Sequence, residues 1–328
     1  MRSTPRLHDV CRASNDDARK SDRRLVIATD RRALLLSSAS FFLASSLPST
    51  PSIASTTETT STAAVIDLSL TPDQTRYDPS DPRLREAARL IQQALNADSV
   101  TKEEALWTEI IETYSPLVSQ RVEWAPDVVG RAVGNRGNAR ARQGRLKDAL
   151  SDYNESIKLC PWSVDPVLNR GAVYEALGRF DDAIADYKAV LRVSPQDPAA
   201  FNNLGNAYSG LGLWSEASEN YERATRIAPQ FSFAAANKAI VDFQLGDRDN
   251  AAFKELRTLL RRYPEFPDAR AALAAGLWTI GKQAEAEEEW GRVNDPRYRD
   301  IQWLKTQRRW PPRLVQGVEA FLSIKDIT

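Results

Sequence analysis

The chain has 328 residues, of which 42% are hydrophobic and 27% are charged, a composition typical of globular proteins. The sequence contains no apolar run of about 18 residues or more, so it predicts no transmembrane helix. Lys and Arg together number 44, as do Asp and Glu, so no net field draws the protein to nucleic acid or anionic lipid.

Histidine and cysteine are scarce. The only histidine is His8, and the only cysteines are Cys11 and Cys160. If the N-terminus is removed, the mature chain keeps no histidine and one cysteine, which excludes an internal disulfide, a histidine general base and a His/Cys metal site. We therefore predict a protein that is not an enzyme and that has no catalytic residues, no metal site and no cofactor.

Residues 1–54 have the features of a targeting presequence. Arg31 and Arg32 precede an apolar stretch over residues 33–47, and Ser52, Ile53 and Ala54 form a triplet of the kind that signal peptidases cut after. A twin-arginine-like signal is therefore predicted at 31–54. Behind an Arg- and Ser-containing leader, it resembles a presequence for the chloroplast thylakoid lumen. Because the leader is also rich in Asp, secretion, periplasmic export and the chloroplast stroma stay open, as does a disordered N-terminus with chance arginines.

A linker and a first, irregular repeat are expected next. From 45 to 62, twelve of eighteen residues are Ser or Thr, so residues 55–81 are predicted to be a disordered linker rich in Ser, Thr and Pro. Residues 82–129 are predicted to be a degenerate N-terminal helical repeat, with helices over 83–96 and 102–114 that end at Pro116.

A period of 34 residues then appears. Five position types recur in three successive units: Gly137, Gly171 and Gly205; Gly144, Gly178 and Gly212; Ala149, Ala183 and Ala217; Tyr153, Tyr187 and Tyr221; Pro161, Pro195 and Pro229. They suit a helix-turn-helix unit. The first Gly and the Ala let two helices approach closely, the second Gly ends the first helix in a left-handed cap, and the Pro begins the connection. The Tyr is expected to fill the gap between neighbouring units.

These residues resemble the pattern of the tetratricopeptide-repeat (TPR) family. Three full repeats run from about residue 130 to 231, and two weaker ones extend the pattern to 294. The resemblance implies an all-α, right-handed superhelical solenoid of antiparallel helix pairs over 130–294, in which the first helix of each pair lines the concave face. Residues 295–328 are predicted to form a C-terminal cap, a helix pair over 298–309 and 313–324. Its Arg308, Arg309 and Arg313 are expected on a solvated face, in preference to an anion-binding patch.

Asparagines recur on the first helix of successive pairs. One position is Asn in four repeats, and two further asparagines lie one turn along: Asn135, Asn169, Asn203 and Asn237, with Asn138 and Asn206. An Asn amide offers a carbonyl acceptor and two N–H donors, so such a row can bind an extended peptide backbone. This resembles the asparagine ladder in the TPR superhelix of O-GlcNAc transferase. The alternative is that these amides bond the backbone of neighbouring helices.

Other side chains are also expected on the concave face. They are Arg142, Asp165, Glu175, Asn202, Ser209, Phe233, Phe243, Gln244 and Trp278. Phe233 and Phe243 are equally compatible with the core, and Phe243 is the better core candidate. The mixture of polar and aromatic groups suits a peptide or unstructured segment better than a highly charged partner.

Two other binding modes fit the sequence poorly. TPR domains of co-chaperones hold a heat-shock protein's C-terminal carboxylate with two Asn, two Lys and an Arg. Asn138 and Asn169 have the required spacing, but the cationic positions hold Gly134, Ala199 and Asn203, so no such clamp is expected. A base-reading helical repeat needs paired selector side chains and a basic groove, neither of which is visible, so no nucleic-acid partner is expected.

The sequence therefore predicts a non-catalytic scaffold that binds a protein client or complex subunit on the concave face. If the lumen address is correct, the client belongs to a photosynthetic complex. An RNA-binding helical repeat and a regulatory subunit of an enzyme are the alternatives.

Replacing Arg31 and Arg32 together with Lys tests the address. If twin-arginine export is used, an unprocessed precursor should accumulate, because the export machinery reads the paired arginines. The same change at Arg23 and Arg24 is the control and should leave processing intact. N-terminal sequencing of the native protein gives the cleavage site, and a native chain that starts at Met1 would rule out a cleaved presequence.

Overall fold

The computed structural model describes residues 64–325, and every secondary-structure element in this range is helical. The predicted presequence, residues 55–63 and residues 326–328 lie outside the described residues. We number the α-helices of the described range in chain order: α1 Pro82–Leu95, α2 Val100–Ser119, α3 Ala125–Arg142, α4 Leu146–Leu159, α5 Asp165–Ala176, α6 Phe180–Val193, α7 Pro198–Gly210, α8 Trp214–Ile227, α9 Ser232–Leu245, α10 Asp249–Arg262, α11 Pro267–Thr279, α12 Gln283–Trp290, α13 Ile301–Thr306 and α14 Pro312–Lys325. Among residues 64–325, no helix combines the length and apolarity needed to cross a membrane.

The helices stack as consecutive pairs. In each pair the second helix packs against the first, and from α2 to α10 each second helix also packs against the first helix of the next pair. The first helices α3, α5 and α7 contact one another in sequence, as do α9 and α11, so the first helices line one continuous surface. The predicted all-α solenoid of antiparallel helix pairs is confirmed. This surface corresponds to the concave face that the resemblance implies, and we use that name for it.

A left-handed glycine ends the first helix of five pairs. The φ angles lie between +74° and +84° at Gly144, Gly178, Gly212, Gly246 and Gly281. A side chain is strained in this conformation, which glycine adopts freely. After α3, the N–H of Arg145 donates to the carbonyl of Arg140, which lets the chain reverse directly into α4. The caps predicted at Gly178 and Gly212 are confirmed.

The other repeated glycine lies under the repeated tyrosine of its own pair. A Cβ atom added at the glycine would lie 2.6–2.9 Å from the tyrosine ring in three pairs: Gly137 and Tyr153, Gly171 and Tyr187, Gly205 and Tyr221. The ring therefore packs on bare backbone. Its outer side joins a core cluster with the following pair, for example Tyr153 with Val173. The tyrosine thus fills the gap between units, as expected, and it also packs between the two helices of its own unit.

Residues 64–81, which the sequence assigns to a disordered linker, pack against the solenoid. Ala64 and Ile66 are buried in the cluster that holds Leu168 and Ile184. Two short 3-10 helices follow, and Tyr77 is buried in the cluster formed around α1, α2 and α3. The Ser/Thr-rich composition ends at Thr62, and beyond it Ala64, Ile66 and Tyr77 gain free energy by leaving water.

Two of the predicted helices differ from those observed. The helix α2 continues through Pro116 to Ser119, since a proline near a helix end removes a single backbone hydrogen bond. The helix expected over 298–309 is divided into the 3-10 helix Pro296–Arg299 and α13. Asp300 separates them because its carboxylate accepts from the N–H of Trp303 at 3.0 Å and caps α13.

The substitution Gly171→Leu tests the packing of the pair α5 and α6. Its Cβ atom alone would lie 2.6 Å from the buried ring of Tyr187, so the helices must separate. Overpacking of this kind typically lowers the free energy of unfolding by about 1–3 kcal/mol. Chemical denaturation measures the loss. Ala176→Leu, at the exposed end of the same helix, is the control and should leave the midpoint nearly unchanged. An unaltered midpoint for Gly171→Leu would mean that the repeat register is wrong.

Candidate functional site

The predicted asparagine row lies on the first helices α3, α5, α7 and α9. Asn203 is buried, with 8% of its surface exposed, and the other five members are half-buried. Side-chain amides on neighbouring helices bond each other: Nδ2 of Asn169 donates to Oδ1 of Asn138 at 2.9 Å. Within α3, Nδ2 of Asn138 donates to Oδ1 of Asn135 at 3.3 Å. The hydrogen bond from Asn169 to Asn138 therefore links two adjacent repeats and fixes the orientation of both side chains.

The tyrosines that pack on glycine also bond this row. The hydroxyl of Tyr153 donates to Oδ1 of Asn138 at 2.8 Å, so this oxygen accepts from its own repeat and from Asn169 of the next. The same arrangement recurs two repeats later, where Oδ1 of Asn206 accepts from Tyr221 at 2.8 Å and from Asn237 at 3.3 Å. A buried hydroxyl needs a partner, so the row belongs to the structure of the repeats.

The second repeat has a different group at this place. Ala172 stands where its neighbours have Asn138 and Asn206, one period of 34 residues away on either side. The hydroxyl of Tyr187 donates instead to Oε2 of Glu175 at 3.2 Å. The row is therefore interrupted at α5, and a carboxyl group takes the place of an amide.

The bonds within the row change what it can offer to a ligand. Oδ1 of Asn203 accepts from Asn202 at 3.2 Å, and Oδ1 of Asn237 accepts from Arg308 at 2.8 Å. Five of the six predicted asparagines therefore use their side-chain oxygens inside the protein. Among the described residues, the Nδ2 groups of Asn135, Asn203 and Asn206 donate no hydrogen bond. The row is thus mainly a set of N–H donors, not of bidentate amides.

The C-terminal cap lies on the concave face, because α14 packs against α9 and α11. Arg308 donates from Nε to the carboxylate of Asp268 at 2.8 Å and from Nη2 to Asn237. The hydroxyl of Tyr298 donates to the same carboxylate at 2.9 Å. One end of the predicted row, at Asn237, is therefore covered by the protein's own chain.

Arg309 reaches much further back along the chain. Its Nη2 donates to the backbone carbonyl of Glu175 at 2.8 Å, and its Nη1 lies 3.4 Å from Oε1 of the same residue. The guanidinium carbon also lies 5.2 Å from the centre of the Phe180 ring. The cap is thereby fastened to the second repeat across the concave face.

Arg313 fixes the start of α14. Its guanidinium donates to both carboxylate oxygens of Asp249, at 2.6 and 2.8 Å, and lies 3.9 Å above the ring of Phe243. The prediction that Arg308, Arg309 and Arg313 lie on a solvated face is wrong, and so is the anion-binding patch considered beside it. Each guanidinium instead pairs with a carboxyl group inside the protein.

Phe243 and Phe233 differ in environment. Phe243 is buried, whereas Phe233 is 42% exposed. Two other side chains expected on the concave face contact the cap. Gln244 accepts a hydrogen bond from the N–H of Arg313 at 2.9 Å, and the ring of Trp278 meets that of Phe321 edge to face at 5.0 Å. The C-terminal part of the concave face is thus largely occupied.

Burial raises the pKa of a carboxyl group on α5 and of the thiol that directly follows α4. The Glu175 side chain is 13% exposed, and burial raises its pKa to about 7, while Arg309 and the hydroxyl of Tyr187 act to lower it. Burial also raises the pKa of the Cys160 thiol to about 12, so this cysteine holds its proton at neutral pH. Among residues 64–325, no three His, Cys, Asp or Glu side chains are grouped so that they could hold a metal ion.

Comparison with known proteins identifies the repeated units. A family model described as TPR repeat matches residues 137–178 and 175–212, and a model described as tetratricopeptide repeat matches 198–231. These matches cover most of the three full repeats. No curated protein matches the sequence.

Three solved structures are similar to this chain at low sequence identity. A tetratricopeptide repeat protein from Parabacteroides merdae is 18% identical, with a TM-score of 0.53 over 72% of this chain and 93% of that chain. MamA from Desulfovibrio magneticus RS-1 is 18% identical, with a TM-score of 0.45 over 55% of this chain and 94% of that chain. YrrB, described as a TPR protein with an unusual peptide-binding site, is 15% identical, with a TM-score of 0.45 over 64% of this chain and 99% of that chain.

Glu175→Gln should change how stability depends on pH. The folded-state pKa of about 7 exceeds the usual value of 4.5, so the stability that Glu175 contributes is present at low pH and is lost as the pH rises through 7. Relative to the native chain, the variant should therefore gain roughly 1–3 kcal/mol between about pH 5 and pH 8. Thermal melting at both pH values measures the difference.

The control for this experiment is Glu222→Gln, at an exposed ion pair with Arg226. Its stability relative to the native chain should change little over the same pH range, because exposed ion pairs contribute little. If Glu175→Gln behaves like Glu222→Gln, the buried environment inferred for Glu175 is wrong.

Proposed function

Because the chain belongs to the tetratricopeptide-repeat family, we propose that it is a non-catalytic scaffold that holds a polypeptide client on its concave face. The observation that carries this proposal is the row of side-chain amides on α3, α5, α7 and α9, in which the free N–H donors lie on α3 and α7. Tyrosine hydroxyl groups and neighbouring amides hold these side chains in place before a ligand arrives. A donor that is already oriented loses little conformational entropy on binding.

The donors select the kind of ligand. The free N–H groups of Asn135, Asn203 and Asn206 suit carbonyl oxygens, and an extended polypeptide presents such oxygens at regular intervals. Neutral donors give no preference for charge, so the row binds main chain and leaves sequence choice to other contacts. The client is accordingly an extended or unstructured segment of a protein.

The site of action follows from the N-terminal sequence. The paired Arg31 and Arg32, the apolar stretch over 33–47 and the triplet that ends at Ala54 support export of the mature protein to the thylakoid lumen. The client is then a subunit of a photosynthetic complex, and the scaffold serves in the assembly or maintenance of that complex.

The double substitution of Asn169 and Asn203 with Ala tests the scaffold role. The variant loses two hydrogen bonds, from Asn169 to Asn138 and from Asn202 to Asn203, and the better helix propensity of Ala offsets part of this loss, so the melting temperature should fall only modestly. Client affinity should fall by roughly 1–3 kcal/mol, because the free N–H group of Asn203 and the unused side-chain oxygen of Asn169 disappear from the site. Capture from a thylakoid-lumen extract on the immobilised chain, with quantitative mass spectrometry, measures the retained proteins.

The matched control replaces Asn220 and Asn250, which lie on the second helices α8 and α10, with Ala. Proteins retained equally by the native and control chains, and depleted on the Asn169/Asn203 variant, support the proposal. Equal capture by all three chains would show that the asparagine row binds no client. A large fall in melting temperature would assign the row to stability alone.

A further inference from the structure

A cavity of about 400 Å³ lies between the concave face and the C-terminal cap. Its walls come from α7, α9 and α11 on one side and from Arg297, Tyr298, Trp303 and Arg308 of the cap on the other. This volume falls in the range of about 300–1,000 Å³ that is typical of ligand sites. The cap supplies one wall of the cavity, so the cavity is complete only when the cap is docked. The cap therefore covers the end of the asparagine row at Asn237 and at the same time forms a new cavity beside it.

One side of the cavity is aromatic. Phe233, in the first turn of α9, keeps 42% of its surface exposed, and its ring meets that of Phe266 edge to face at 5.2 Å. Tyr263 and the half-buried Trp303 extend this surface. An apolar side chain placed against these rings removes apolar area from water on both partners, a gain of about 25 cal/mol per Å².

The other side of the cavity is polar, and the charges of its two arginines are balanced by ion pairs. Arg308 is paired with Asp268, and Arg297 with Asp295, so neither guanidinium is left to attract an anionic ligand. Glu265 is an exposed carboxylate on the cavity wall. The local charge is therefore negative, which favours a cation and disfavours an acidic group beside the bound side chain.

The cavity continues the asparagine row. Asn202, Asn206 and Asn237 line it, and Asn206 and Asn237 are the last two members of that row along the solenoid. The Nδ2 group of Asn206 donates no hydrogen bond within residues 64–325. A peptide whose backbone follows the row therefore arrives at the aromatic wall with one side chain directed into the cavity.

We propose that this cavity binds one large apolar side chain of an extended peptide segment, with Asn206 donating to an adjacent backbone carbonyl and Glu265 favouring a basic neighbour. The assignment rests on the proposed scaffold function and adds the chemistry of the recognised segment. Trp303 and Arg308 make the cap a part of the site. Phe233 contacts the ligand directly.

A random library of short peptides, each of about a dozen residues, selected on the immobilised full chain, tests this assignment. The enriched peptides should share one large aromatic or aliphatic residue next to Lys or Arg. Phe233→Ser should weaken their binding about tenfold or more, whereas Phe233→Leu, which keeps an apolar surface, should retain most of it. Glu265→Gln should reduce the preference for a basic neighbour.

Leu211→Ser is the matched control, since Leu211 is 41% exposed and lies outside the cavity. This variant should bind the selected peptides as the native chain does. The assignment is overturned if no peptide is enriched, if the enriched peptides share no large apolar residue, or if Phe233→Ser and Leu211→Ser bind them equally well. Peptides that ignore Phe233 but are lost with the Asn169/Asn203 variant would overturn the cavity site and leave the scaffold function standing.

Discussion

The contact between a tyrosine ring and a glycine backbone sets the spacing of the paired helices, and much of the concave face depends on it. Tyr187 can lie against Gly171 only because that residue has no side chain. The same geometry carries each tyrosine hydroxyl into the row of polar groups, where Asn138, Asn206 or Glu175 accepts a hydrogen bond from it. A packing requirement of the core therefore orients polar groups on the concave face.

The sequence predicts the features that depend on short spacing. Gly178 occupies the left-handed cap and Gly171 the close contact, because the period of 34 residues reports the geometry of one helix pair. The cap arginines are different: Arg309 meets Glu175 across 134 positions, and no local pattern reports such a pairing. The hydrogen-bond partners of the asparagines could not be predicted either, because an asparagine amide can bind a ligand or a neighbouring helix equally well.

Under the proposed function, the concave face divides client binding between two kinds of contact. The asparagine row presents donors that match the main chain of any polypeptide, so it supplies length and orientation but little choice of sequence. The aromatic cavity at its end supplies the choice, through shape and through the carboxylate of Glu265. Specific interfaces commonly concentrate their binding energy in such a central apolar contact. Under the same proposal, the C-terminal cap, which contributes Trp303 to the cavity, affects selectivity as well as stability.

The link from Arg309 to Glu175 also affects how the solenoid comes apart. A solenoid whose units contact only their neighbours can unravel one unit at a time from an end. Arg309 has a φ angle of +52°, a conformation that costs roughly 1–2 kcal/mol in a residue with a side chain, and the contacts of its guanidinium offset that cost. Because this contact passes over the third, fourth and fifth repeats, the last units cannot fray without breaking the contact with the second. The chain from Glu175 to Arg309 is thereby closed into a loop, which couples the repeats within it.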